Sequence, residues 1–168
     1  MDRRVVVGWT LLLMGLGSPL LAACEGSEEP TAQQLAEQFV DERDRRVTQF
    51  CACFSDLLGY AAGDAASCIE GETFAPNQRG CIVGIFTPPD EQQPSGVVPD
   101  AEQSLYTSEP ALECLIDAEI AYRECLVSLS CDDKDGLNAC LGDFNASRQQ
   151  CPRLSEEDEA DFESCLLL

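Results

Sequence analysis

Eleven cysteines, thirty-one carboxylates and no histidine make up the reactive inventory of this 168-residue chain. Thiols at that density close disulfides, hold a metal or exchange electrons. Without histidine there is no Ser-His-Asp or Cys-His nucleophile pair, no imidazole acid–base group and no His-ligated zinc. Cys-x-x-Cys is absent, as is any paired zinc-knuckle spacing. Cys51 and Cys53 are two positions apart, and on a helix their side chains diverge by about 200°, so they serve different bridges. Structural disulfides in an oxidising compartment account for the cysteines, and no cofactor or metal is required.

The carboxylates are so numerous that no pair stands out as a glycosidase acid and base, and no catalytic residue is assigned. Asp132 to Gly136 superficially resembles an EF-hand loop. With Gly136 at the sixth position, however, Cys131 and Gly142 occupy the first and twelfth, where acidic ligands are needed. Asn145-Ala146-Ser147 matches a glycosylation sequon but falls on an expected helix. A net charge of -21 disfavours a nucleic-acid surface, which needs clustered Lys and Arg to displace counterions, so no nucleic-acid partner is expected, and no Gly-rich phosphate loop or nucleophile elbow occurs.

Arg3 and Arg4 precede a twelve-residue apolar stretch, Val5 to Leu16. It is shorter than the roughly 20 residues that span a bilayer and suits a secretory signal. Leu21-Ala22-Ala23-Cys24 then resembles the lipobox of bacterial lipoproteins. The resemblance implies a signal peptide over 1–23, acylation of Cys24 by chains such as palmitate, and a domain held in water beside an envelope membrane. By the same resemblance, Glu25 in place of Asp points to the outer membrane. Cysteine parity agrees, because ten cysteines remain for five disulfides. Residues 24–30 form a polar tether, and the mature chain carries eight basic against thirty acidic side chains, a net -22.

The elements that must position the cysteines read as helices. Thr31 with Gln34 makes a capping-box start, and Leu35, Phe39, Val47, Phe50, Phe54 and Leu57 recur at helical period over 32–58. Gly59 and Gly63-Asp64 turn the chain into a shorter helix over 65–74, stopped before Pro76. Residues 87–107, with Pro88-Pro89, Pro94 and Pro99, read as a linker. Ser108 caps a helix over 109–130 carrying Ala111, Leu115, Ala118, Tyr122, Cys125 and Leu129 on one face. A fourth helix over 137–150 ends at Cys151-Pro152, and Ser155 opens a fifth that ends at Cys165. The expected fold is all-α: two disulfide-stapled antiparallel hairpins, 31–86 and 108–168, the second carrying the C-terminal helix.

Cys114 to Cys125 spans eleven residues, as does Cys140 to Cys151. Eleven residues turn a helix about 20° past three full turns, so each pair lies on one face about 16 Å apart. Bridged residues in an antiparallel hairpin share a constant position sum, and 114 with 151 and 125 with 140 both give 265. The spacing predicts Cys114–Cys151 as an outer rung and Cys125–Cys140 as an inner one. Over residues 114–151 this resembles the twin Cys-x9-Cys helices of coiled-coil-helix-coiled-coil-helix proteins, with ten intervening residues instead of nine. The likeness carries geometry and no function.

Cys53 and Cys68 are fifteen apart, like Cys125 and Cys140, and superimposing them sets Phe50 on Tyr122, Leu57 on Leu129 and Ile69 on Leu141. Cys53–Cys68 is therefore expected, with Glu42 standing where an outer-rung cysteine would be. A fifth helix folded back along the fourth would pair Cys131–Cys165, leaving Cys51–Cys81. Spacing alone does not fix connectivity.

These features point to a non-enzymatic, lipid-anchored binding or scaffolding module of the cell envelope with a solvated acidic surface. Its partners would be the membrane, through Cys24, and a basic envelope protein steered by charge. A calcium- or metal-dependent module, and a thiol oxidoreductase or other envelope enzyme with an unrecognised site, are the alternatives. Cys24→Ser is expected to abolish acylation and move the protein from the detergent to the aqueous phase on phase partitioning. Unchanged partitioning would refute the anchor.

Overall fold

A computed structural model describes residues 29–87 and 100–168; Cys24 and most of the tether lie outside them. The regular elements of the described residues are all helical: α1 (Ala32–Phe54), continued by a 3-10 turn (Ser55–Leu58), α2 (Ala65–Glu72), α3 (Pro76–Ile85), α4 (Asp100–Val127), α5 (Lys134–Gln150) and α6 (Glu156–Leu166). The Thr31 hydroxyl accepts from the Gln34 N–H at 3.3 Å, and the Gln34 side chain accepts from the Thr31 N–H at 2.9 Å. Asp64, Asp133 and Ser155 cap α2, α5 and α6 by accepting from the N–H three residues on. Gly59, at φ +88°, ends the 3-10 turn in the left-handed region where glycine carries no steric penalty.

Proline misleads the sequence reading twice. The expected helix over 65–74 ends at Glu72, and a helix the pattern does not suggest, α3, opens at Pro76. Proline suits the first helical position, where its missing N–H would have had no intrahelical partner. Likewise α4 begins at Asp100 and runs through Pro110, so residues 100–107 of the expected linker are helical, while 88–99 lie outside the described residues. Pro110 is exposed, and Ala111, Leu112, Ile116, Ala118, Tyr122 and Leu126 are buried. That burial outweighs the roughly 3 kcal/mol cost of a proline inside a helix.

Helices α1 and α4 form the most extensive contact in the fold, and they point the same way. Leu35 and Phe39 cluster with Leu112 and Ile116, Phe54 clusters with Tyr122 and Leu126 further along, and Cys53 bonds Cys131 just past the end of α4. The expected hairpins thus join along one seam. Helices α2 and α3 return along α1, and α5 returns along α4. Helix α6 reverses again to lie antiparallel to α3, where the Gln78 amide donates to the Leu166 carbonyl at 3.1 Å.

Between the two apolar clusters the seam carries charge. Arg46 Nε donates to Glu119 Oε2 at 2.5 Å, and Arg123 Nε lies 3.2 Å from Glu42 Oε2. Glu42 and Glu119 are 5% and 3% exposed, so these carboxylates, with Asp158, are not part of the solvated acidic surface expected from composition. The Arg46 guanidinium also lies 5.6 and 5.5 Å from the Tyr122 and Phe144 rings, which stack at 4.7 Å. Burial raises the Tyr122 phenol above its ordinary pKa of 10.0; Arg46 lowers it and Glu119 raises it by lesser amounts.

All ten described cysteines are bridged. Cys114 bonds Cys151 and Cys125 bonds Cys140, the two rungs sharing the constant sum. The other three expected pairs are corrected: Cys51 bonds Cys68, Cys53 bonds Cys131 and Cys81 bonds Cys165, in place of Cys53–Cys68, Cys131–Cys165 and Cys51–Cys81. Helix α2 packs on the face of α1 that bears Cys51, burying Cys51 and Cys68 together with Val47. Cys53, on another face, meets the tip beyond α4. Helix α6 folds against the unforeseen α3 rather than along α5, which gives Cys165 to Cys81.

Replacing either partner of the Arg46–Glu119 pair with leucine leaves a charge stranded at the seam and should cost about 3 kcal/mol. The double replacement should cost clearly less than the two singles together. Denaturant midpoints of the four proteins measure this, and strict additivity would refute the coupling.

Candidate functional site

The residues singled out from the sequence do not converge on one centre. Asp133 is the cap of α5, and the acids of the Glu156 to Glu163 run other than Asp158 are exposed on α6. Among the described residues no three His, Cys, Asp or Glu side chains gather where they could hold a metal ion. Asp64 and Asp132 both titrate below the usual carboxylate range: Asp64 accepts from Ser67 and Asp132 from Ser130 and its own backbone. Both are turn and capping interactions.

The concave feature with mixed chemistry lies elsewhere. Where α5 ends, Cys151-Pro152 carries the chain across to α6, and a cleft of about 430 Å³ opens between α4, the end of α5, this crossing and α6. Its apolar lining comes from Phe39, Leu112, Leu115, Leu154, Phe162 and Leu166. Arg148 is contributed by the end of α5 and Arg153 by the crossing, and Glu159 and Glu163 by α6. The volume is in the range of small-molecule sites, which pair an apolar interior with a few polar groups.

Three tethers keep these walls in place. Cys114–Cys151 fixes the end of α5 to α4, and Cys81–Cys165 fixes the end of α6 to α3. At the start of α6 the Ser108 hydroxyl donates to Asp158 Oδ2 at 2.7 Å, with both residues buried. Ser108 is therefore an interior residue of α4 that docks α6, not the helix cap expected from the sequence. The Phe162 ring packs 6.0 Å from Phe39 in a tilted pair and continues the wall into the core.

The charges at the cleft differ from those elsewhere in the protein. Arg43, Arg45, Arg46, Arg79 and Arg123 are each ion-paired with a carboxylate. Asp41 and Asp44 hold Arg79, and the hydrogen bond to Asp41 is the chief cause of its raised pKa. Among the described residues only Lys134, Arg148 and Arg153 have no carboxylate within 4.0 Å, and two of these three border the cleft. Arg148 is not loose, since its guanidinium lies 5.5 Å from the Phe144 ring in the last turn of α5, where the helix dipole favours a cation.

No protein-family model, curated protein or solved structure matches the chain. The cleft itself was not foreseen from the sequence. Its walls come from four separate segments, and the available signal was weak: Arg148 and Arg153 are the only basic residues after Lys134.

Ser108→Ala should destabilise the protein by about 2 kcal/mol, since it removes a buried hydrogen bond to a carboxylate. Hydrogen exchange should accelerate over residues 156–166 more than over α1. Uniform acceleration across the chain would show that the bond does not dock α6 locally.

Proposed function

We propose that this chain is a lipid-anchored binding module of the bacterial cell envelope, non-enzymatic, with the α4–α5–α6 cleft as its ligand site. The observation that carries the reading is the cleft: an apolar lining beside two arginines without carboxylate partners, on a frame fixed by disulfides at the ends of α5 and α6. Such a frame suits recognition, because a site whose walls are already placed loses little entropy when it is filled. The lipobox resemblance at Cys24 supports the anchor and the outer-membrane address, and the bridging of every described cysteine fits an oxidising compartment.

A basic protein partner is a second reading. It is favoured by the internal pairing of five arginines, which leaves the exterior dominated by carboxylates, and such an association should weaken with salt.

The cleft is tested with a neutral, environment-sensitive dye such as N-phenylnaphthylamine. Saturable fluorescence enhancement by the oxidised protein is expected, and Leu154→Trp, which fills the cleft, should remove it while leaving the thermal midpoint within a few degrees. No enhancement, or enhancement that survives the filled cleft, would overturn the site. Counting thiols on the same sample tests the alternative of a thiol oxidoreductase. None is expected before or after denaturation, and a reactive pair would bring redox chemistry to the front.

A further inference from the structure

We infer that the cleft selects a single-chain amphiphile with an anionic head, a long-chain carboxylate being the simplest representative; this rests on the cleft being the ligand site. The tail requirement follows from the apolar lining, in which Phe39, Leu112, Leu115, Leu154, Phe162 and Leu166 offer no ion or hydrogen-bonding side-chain group. The head requirement follows from the charges. In a chain with three times as many acids as bases, unpaired arginines are scarce, and both Arg148 and Arg153 line this cleft.

Arginine presents a planar fork of donors that suits a carboxylate or phosphate head. Arg148 has its guanidinium positioned against the Phe144 ring before any ligand arrives. Glu159 and Glu163, on the α6 side of the same cleft, repel an anionic head. They leave the end of α5 and the crossing as the electrostatically acceptable place for it, so the ligand's orientation is set as well as its class. The second described depression, about 280 Å³ beside Pro30, Leu35 and Ile116, has Glu113 and Asp117 on its wall and no cation. It therefore provides an internal contrast: a second depression of the same protein whose charged lining is acidic alone, where the cleft has two arginines beside its two glutamates.

The test titrates the purified, delipidated full chain by calorimetry with dodecanoate, dodecanol and dodecylammonium, each below its micelle concentration. Dodecanoate should bind at least tenfold more tightly than dodecanol, and the margin should shrink as salt is raised. In the Arg148→Ala/Arg153→Ala variant, dodecanoate should fall to the affinity of dodecanol while dodecanol itself is unchanged, and Arg148→Lys/Arg153→Lys should recover part of the difference. Equal binding of dodecanoate and dodecanol by the parent chain, or full dodecanoate binding by the double alanine variant, would overturn the anionic selectivity and leave the cleft standing as an apolar site. Dodecanol binding that persists in Leu154→Trp would instead place the tail outside the cleft and overturn the underlying site. Tighter binding of dodecylammonium than of dodecanoate would show that the acidic walls govern the head and would refute the inference.

Discussion

Helices α1 and α4 start at the same end of the molecule and run side by side, so their dipoles are aligned and mutually repulsive. Both also belong to a chain whose acidic side chains outnumber its basic ones threefold. Something must hold this seam shut, and the structure answers in layers. Leu35, Phe39, Leu112 and Ile116 close one end, and Phe54, Tyr122 and Leu126 the other. Between them Glu42 and Glu119 are buried against Arg123 and Arg46, with each helix giving one acid and one base. Sliding one helix past the other would part both ion pairs, so the charged layer sets register where apolar packing alone would tolerate a shift.

The remaining helices follow from that seam. Parallel neighbours cannot be joined by a tight turn, so the chain must travel back before α4 can begin, and α2 and α3 make that return. Helix α5 returns along α4, and α6 then closes onto α3 rather than onto its own half. Two disulfides therefore bridge the halves, Cys53–Cys131 and Cys81–Cys165, with separations of 78 and 84 residues. In the chain-entropy account, loops of that size stabilise by more than 4 kcal/mol each, and the effects of overlapping loops are not additive. This reinforcement lies across the junction where like charge would otherwise drive the halves apart.

The helical class, the Thr31 capping box and the two rungs between α4 and α5 were legible in the sequence because each depends on residues near one another in the chain. The pairings of Cys53 and Cys81 depend on how separate helices meet, which periodicity does not encode. Pro76 was read as a stop and the proline-rich 87–107 as a linker, yet Pro76 opens α3, and α4 takes in 100–107 and runs on through Pro110, because local propensity yields to burial. Glu42 illustrates the same limit: it looked like a gap where a cysteine rung was missing, and it is a member of the charged seam. The cleft was least legible of all, since Phe39, Leu112, Arg148 and Phe162 are brought to it by four separate helices.

The connectivity also constrains how the molecule is made. Along the ten bridged cysteines, no two that are consecutive in the chain are bonded to each other. A polypeptide oxidised as it emerges from its N-terminus exposes Cys51 and Cys53 together, well before Cys131 and Cys165 exist as partners. Bonds closed between neighbours in that order would be non-native and would have to be exchanged through mixed disulfides before the native set accumulates. The connectivity thus separates two routes: oxidation in order of emergence requires disulfide exchange, whereas oxidation after the helices have packed does not.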